Sequence, residues 1–328
     1  MSPPPSFRPV GRFAPSPTGD LHLGSALAAL AAWASARRRG GRFVWRVEDL
    51  DGPRAVPGAA GRQIEDARWL GLDWNEGPDV GGPHGPYRQS ERGDVYRAAL
   101  RALAEGGHLF PCRVSRRDLR ELASAPHGPD GGTPYPASLR PTDLAPGWFD
   151  DPAARADAAL RFRVPPGEVS FEDAVAGRVV EDVRRSVGDF VLERRDGVVA
   201  YQLAVVVDDL AMGVTEVVRG HDLLHSTARQ ILLIRALGGR VPAYAHVPLL
   251  VAADGEKLSK RDDSLTIRSL RAAGVAAEAV VGWLAATLGQ GDVGRRTPAE
   301  VAATFEIGRV RPDPVPVPDD LAGRLLAS

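Results

Sequence analysis

Two lysines and one histidine are the side chains in this sequence best placed to handle phosphate. Lys257 and Lys260 are the only lysines, both within Lys257-Leu258-Ser259-Lys260-Arg261, and every other Lys/Arg position is arginine. An ammonium on a flexible stem follows a moving phosphate better than a rigid guanidinium does. Near the other end, His22-Leu23-Gly24-Ser25 opens a helix. Backbone N–H groups at a helix start favour an anion, Gly24 leaves room for a nucleotide, and His22 can donate to a phosphate oxygen. Together the two segments predict a clamp on one triphosphate, with His22, Lys257 and Lys260 as catalytic groups and Gly24, Ser25 and Ser259 as further nucleotide contacts.

The elements that must position this clamp form a strand, turn, helix and strand. Gly11–Thr18 leads from an extended stretch into turn formers, Ala26–Arg39 is an alanine-rich helix closed by Gly40-Gly41, and Arg42–Val47 alternates as a strand ending at Glu48-Asp49. That order is a βαβ unit of a parallel sheet, whose ligands bind at the carboxyl ends of the strands. Helices are predicted over 59–72, 90–106 and 221–237, with two or three more over 266–305, and strands over 215–219 and 246–251. The run Phe190–Arg195, Asp196-Gly197, Val198–Val207 predicts a hairpin. Periodicity weakens over 110–185, which reads as an insertion. The expected architecture is therefore α/β: a Rossmann-like parallel-sheet catalytic domain (1–109 and 186–262), an insertion (110–185) and a small helical C-terminal segment (263–328).

Composition sets the limits. A net charge of −1 gives no global attraction for nucleic acid, so an RNA partner needs a local basic face. Arg113, Arg116, Arg117 and Arg120 are candidates for one, or a solvated helix face. A single cysteine, Cys112, excludes an internal disulfide. The apolar stretch Ala26–Ala36 is too short to span a bilayer, and the proline-rich start has no apolar signal core. A cytoplasmic monomer with no membrane association is expected.

Arg12-Phe13-Ala14-Pro15-Ser16-Pro17-Thr18-Gly19 with His22–Ser25 resembles the HIGH-motif region of glutamyl-tRNA synthetases, and Lys257–Arg261 resembles their KMSKS loop. Arg46–Asp51, Gly85–Arg92, Val206–Asp209 and Gly213–Gly220 are similar as well, in the family's order from residue 11 to about 290. Within this class I aminoacyl-tRNA synthetase family, the chain resembles the short glutamyl-queuosine tRNA(Asp) synthetases. Asp189–Gly197, Ala200–Ala204 and Thr215–Leu224 carry that likeness. Only about 65 residues follow the lysine segment, too few for the helical anticodon-binding domain of the longer enzymes, so none is expected. The family's zinc site is degenerate: Cys112 and Tyr135 remain, while Val114 and Leu139 occupy the other two ligand positions. His108 and His127 are the remaining nitrogen donors there. One thiolate and one phenol do not make a tetrahedral site, so zinc is expected to be absent.

The resemblance implies that L-glutamate attacks the α-phosphate of ATP, carried with Mg2+, to give glutamyl-adenylate, and that the acyl group passes to the queuosine base of tRNA(Asp). Arg12 and Arg219 would grip the two carboxylates, Glu48 the ammonium, and Ser16, Tyr201 and the main chain of Ala14 would add contacts. A truncated glutamyl-tRNA synthetase charging tRNA(Glu) and a tRNA-independent adenylyltransferase are the alternatives. One preorganised donor is worth roughly 10²–10³ in rate. Lys260→Ala is accordingly expected to lose that much in pyrophosphate–ATP exchange; a change below about fivefold removes the role.

Overall fold

The computed structural model describes residues 8–115, 134–252, 255 and 265–327. The lysine segment, with Lys257, Ser259 and Lys260, lies outside them, as do Arg116, Arg117, Arg120 and His127.

Strand β1 (Val10–Phe13) pairs in parallel with β2 (Arg42–Trp45) through α1 (Leu23–Arg38), so the expected βαβ unit is present. The second half contributes β8 (Glu216–Gly220) and β9 (Ala243–Val247), also parallel. Thr215 joins the halves: its N–H donates to the Val10 carbonyl at 3.0 Å, and its hydroxyl accepts from the Val10 N–H at 2.9 Å. The carboxyl ends of β1, β2 and β8 therefore open in one direction.

Helix α1 is alanine-rich because it is buried on nearly every side. Leu23, Leu27 and Leu30 are fully covered, and so are the alanines at 26, 29, 31, 32, 34 and 36. A wall of small side chains lets α1 lie close against β1. A methyl group at Gly11 would come within 3.1 Å of Ala36 Cβ. On its other side α1 packs on the C-terminal helices Ala277–Thr287 and Pro298–Thr304.

Other helices follow the predicted pattern with shorter bounds: α2 (Ala59–Trp69) and α3 (Gly93–Glu105) in the first half, and α5 (Thr227–Ala236) in the second. The hairpin expected over 190–207 is the exception. After β7 (Val191–Glu193) its returning arm is limited to one bridge, Glu193 with Val199, and Tyr201–Ala211 is a helix, α4. The Val205–Val207 run is β-branched, but Leu203 to Asp209 are all buried, and tertiary packing of that kind overrides a modest intrinsic preference.

Four strands stand among the described residues of 109–185. β3 (Leu109–Cys112) and β4 (Ala159–Phe162) pair antiparallel, and β4 also pairs with β7. β5 (Val169–Asp173) and β6 (Gly177–Glu181) form a hairpin that extends the core sheet in the order β6-β5-β9-β8. β5 pairs with β9 at a single ladder position, Asp173 with Tyr244, and this pairing carries a carboxylate into the interior of the catalytic half. The proline-rich tail adds β11 (Val315–Pro316), parallel to β10 (Leu250–Val251), so the chain end is tied to the strand that enters the lysine segment.

Candidate active site

Four of the residues expected to bind glutamate stand around the mouth of the sheet. Arg12 projects from β1 and is almost wholly buried, its Nε 3.4 Å from Asp209 Oδ2 and its Nη1 3.4 Å from the Val218 carbonyl. Glu48 follows β2, and its N–H donates to the Pro15 carbonyl at 3.1 Å, which holds the Ala14–Ser16 turn beside it. Tyr201 is the first residue of α4 and remains about a third exposed. The charges acting on its hydroxyl are those of Arg219, Glu48, Arg12 and Asp209, so these side chains share one space. Ser16 is exposed, with its carbonyl accepting from Gln63 Nε2 at 3.1 Å.

Beneath this mouth lies a buried ionic network. Arg46 has no solvent exposure. Its Nη1 donates to Asp209 at 2.7 Å, its Nη2 to Glu48 at 2.9 Å, and its Nε stands 3.6 Å from Asp208. Asp208 is equally buried and accepts from Arg92 Nε at 2.6 Å, Gln89 Nε2 at 2.8 Å and the Tyr96 hydroxyl at 3.0 Å. Three arginines (12, 46 and 92) thus face three carboxylates (48, 208 and 209). Burial raises Glu48 above the usual carboxylate range, and Arg46 offsets only part of that. Burial also pushes Asp209 upward, but Arg46 and Arg12 outweigh it and hold Asp209 below its ordinary value. Asp209 stays ionised, its charge already spent on Arg46 and Arg12.

Arg219, on β8, is buried in a different shell. Its Nε donates to His246 Nε2 at 3.0 Å, its Nη1 to Gln230 Oε1 at 2.8 Å, and its Nη2 to Thr227 Oγ1 at 2.9 Å and the Leu223 carbonyl at 3.3 Å. The Tyr244 ring lies 5.8 Å from the guanidinium. All of these acceptors are neutral. Gln230 in turn donates to Gln202 Oε1 at 3.0 Å, linking the Arg219 shell to the start of α4 next to Tyr201.

His22 is the N-cap of α1. Its Nδ1 accepts from the Ser25 N–H at 3.2 Å, and its Nε2 lies 2.9 Å from Ser25 Oγ. Gly24 faces that ring, since a methyl group there would meet His22 Nδ1 at 3.3 Å. The residues just beyond the lysine segment dock here. Thr266 pairs with His22 in an antiparallel bridge, and the Ile267 N–H donates to the Leu21 carbonyl at 2.7 Å.

A class I synthetase architecture is thus indicated: two parallel half-sheets, a helix start at their junction and a charged pocket beside it. The family model "tRNA synthetases class I (E and Q), catalytic domain" matches residues 10–295. The chain is 51% identical over 320 residues to a glutamyl-Q tRNA(Asp) synthetase of Symbiobacterium thermophilum, covering 96% of this chain and 98% of that protein. It is 48% identical over 316 residues to that of Nitratidesulfovibrio vulgaris, covering 96% and 97%. The chain belongs to the glutamyl-Q tRNA(Asp) synthetase family of class I tRNA synthetases. Among solved structures, glutamate-tRNA synthetase from Elizabethkingia anophelis superposes with a TM-score of 0.82 at 27% identity, covering 97% of this chain and 70% of that one.

In this family member the four zinc-ligand positions do converge, but into an apolar cluster. Cys112 Sγ lies 3.6 Å from the Tyr135 hydroxyl, which donates to the Leu139 carbonyl at 3.0 Å, and Phe110, Val114, Leu139 and Leu144 close round them. His108 stacks on Phe162 at 6.0 Å instead of joining the cluster. Among the described residues no group of three or more His, Cys, Asp or Glu could hold a metal ion. Arg113, a candidate for the RNA path, is exposed and donates to the carbonyls of Ala153, Ala154 and Ala156.

The synthetase's Arg46, Arg92, Gln89, Tyr96 and His246 were not anticipated as site residues. Arg46 and Arg92 lie inside the family-like stretches 46–51 and 85–92, and that was the available signal. Removing one partner of a buried ion pair costs about 3–5 kcal/mol, so Asp208→Ala is expected to lower unfolding free energy by about that much, measured by urea denaturation. Acid stability has a definite sign as well. Burial lowers His246 to about 4, which the Asp173 hydrogen bond only partly opposes. Burial pushes Asp173 upward, but hydrogen bonds from His246 and the 175–176 amides hold it at about 2. Both groups take up protons more readily when unfolded, so stability should fall as pH drops from 6.5 to 2, by up to about 1.4 kcal/mol per unit per group. A denaturation midpoint that stays flat between pH 6.5 and 4 contradicts this.

Proposed function

We propose that this chain activates L-glutamate with ATP as glutamyl-adenylate and transfers the glutamyl group to the queuosine base of tRNA(Asp), acting as a cytoplasmic monomer. The observation that carries the amino-acid half of this reading is the unequal charge balance of the pocket. Arg12 is paired with Asp209, whereas among the described residues every hydrogen-bond acceptor of Arg219 is neutral. A buried cation whose hydrogen bonds all go to neutral groups is costly, and a substrate carboxylate relieves that cost. Glutamine, with an amide in place of its side-chain carboxylate, leaves a cation unpaired, a loss of about 2–5 kcal/mol. Glu48, beside Arg46, receives the ammonium, and the Tyr201 hydroxyl supplies a donor at the rim.

ATP fits the start of α1, where the Leu23 and Gly24 amides and the helix dipole favour phosphate. His22 caps that helix and stands at its exposed end. Lys257 and Lys260 are assigned to the opposite side of the triphosphate; the anchoring of Thr266 at His22 supports that assignment. Attack by the glutamate α-carboxylate on the α-phosphate expels pyrophosphate, and no protein group need be a covalent nucleophile. Positioning and charge stabilisation carry the step. Asp208 and Asp209 are neutralised by arginines, so Mg2+ is held mainly by phosphate oxygens and water. No helix among the described residues is long and apolar enough to cross a membrane.

The acceptor is assigned from the relatives' names and from the general accessibility of unpaired bases in RNA loops. Labelled glutamate and ATP should deliver label to queuosine-containing tRNA(Asp) and not to queuosine-lacking tRNA(Asp) or to tRNA(Glu). Label on tRNA(Glu) alone overturns the acceptor assignment, and label transfer without any tRNA overturns the synthetase reading.

A further inference from the structure

The shell around Arg219 contains a pair that the reaction itself does not require. His246 lies on β9, wholly buried, with its Nε2 accepting from Arg219 Nε at 3.0 Å and standing 3.3 Å from the Thr227 hydroxyl. Its Nδ1 lies 2.6 Å from Asp173 Oδ2. Asp173 sits at the end of β5 and is itself fixed, because its Oδ1 accepts from the N–H groups of Val175 at 3.0 Å, Ala176 at 2.9 Å and His246 at 3.1 Å. One carboxylate oxygen is committed to three amides, which turns the other towards the imidazole.

We infer that Asp173 and His246 are positioning residues for glutamate recognition: the Asp173 carboxylate sets the His246 tautomer so that a neutral imidazole aims the Arg219 guanidinium at a substrate carboxylate. The inference rests on the proposed role of Arg219. An ionised Asp173 accepts only, so Nδ1 carries the proton and Nε2 presents its lone pair. That lone pair faces Arg219 Nε–H. The reverse tautomer would set Nε2–H against Nε–H at 3.0 Å, donor against donor, and a protonated ring would add a second buried cation beside the first. The stacked Tyr244 ring, 6.3 Å from His246, holds the imidazole plane. A carboxylate that orients the far nitrogen of a histidine is known to govern which tautomer forms, and replacing it by the amide inverts the choice. His246 thereby orients Arg219 without touching substrate, and the orienting group comes from the 169–181 hairpin, beyond the two half-sheets that form the pocket.

In Asp173→Asn the amide oxygen is expected to stay with the three backbone N–H groups, leaving the NH2 facing Nδ1 and forcing the proton onto Nε2. In glutamate-dependent pyrophosphate–ATP exchange, this variant should raise KM for glutamate at least tenfold while KM for ATP stays within twofold. His246→Gln, whose carbonyl reaches the Nε2 position and has no tautomer, should stay within about threefold of the parent. Adding Asp173→Asn to His246→Gln should then change little further, a non-additivity that a purely structural role does not produce. Nitrogen-15 NMR of the unsubstituted enzyme, without substrate, should show His246 protonated on Nδ1. An Nε2-protonated ring, or an Asp173→Asn variant with unchanged KM for glutamate, overturns the inference. Should the variants fail to fold, the tautomer of the parent enzyme decides alone. If the parent shows no glutamate-dependent exchange, the proposed function fails while the tautomer still tests the Asp173–His246–Arg219 geometry.

Discussion

The pocket depends on an arginine that touches no solvent. Moving a guanidinium out of water costs several kcal/mol even after relaxation, and Arg46 is tolerated because Glu48, Asp208 and Asp209 surround it. These partners come from the end of β2 and from α4, while Arg12 and Arg92 bring β1 and the start of α3 into the same network. Satisfying one buried charge therefore fixes four elements relative to one another. The residues at the mouth inherit that geometry before any substrate arrives, and preorganisation of this kind is what charge-stabilising catalysis requires.

Charge is distributed unevenly by design of the packing. In the Arg46 network cations and carboxylates balance, so the floor of the pocket is electrically closed. Around Arg219 every hydrogen-bond acceptor among the described residues is neutral. In the proposed reading, selectivity for a doubly acidic amino acid rests on this contrast more than on the number of arginines. Two neutralised arginines would discriminate poorly between a carboxylate and an amide.

The 110–185 segment contributes in two ways. Around Cys112 and Tyr135, side-chain packing fills the region, and Arg140 clasps Asp189 with two 2.6 Å hydrogen bonds that tie the segment to residue 189. Around Asp173 the same segment reaches into the core sheet and supplies a buried carboxylate. A stretch whose periodicity looks weak is thus structurally committed at both ends. Its strands are short and pair with distant partners, such as Asp173 with Tyr244, so local sequence pattern carries little trace of them.

What the sequence alone determined is the class of machine. The turn at 11–25, the paired lysines, the position of Glu48 after a strand and the alanine-rich helix are local patterns, and α1, β1 and β2 stand where those patterns put them. Arg12, Glu48, Tyr201 and Arg219 became binding candidates through the resemblance to glutamyl-tRNA synthetases, since a buried arginine or glutamate is as readily one half of a structural ion pair. Tertiary structure decided the rest. It made Tyr201–Ala211 a helix in spite of its valines, because burial outweighs propensity, and it turned Asp208 and Asp209 from unassigned acids into the counter-ions of Arg46. It also brought Asp173 and His246 together across 73 residues. Burial and partnership between distant residues decide which charges are spent and which remain for substrate, and those are properties of the folded chain that no local spacing encodes.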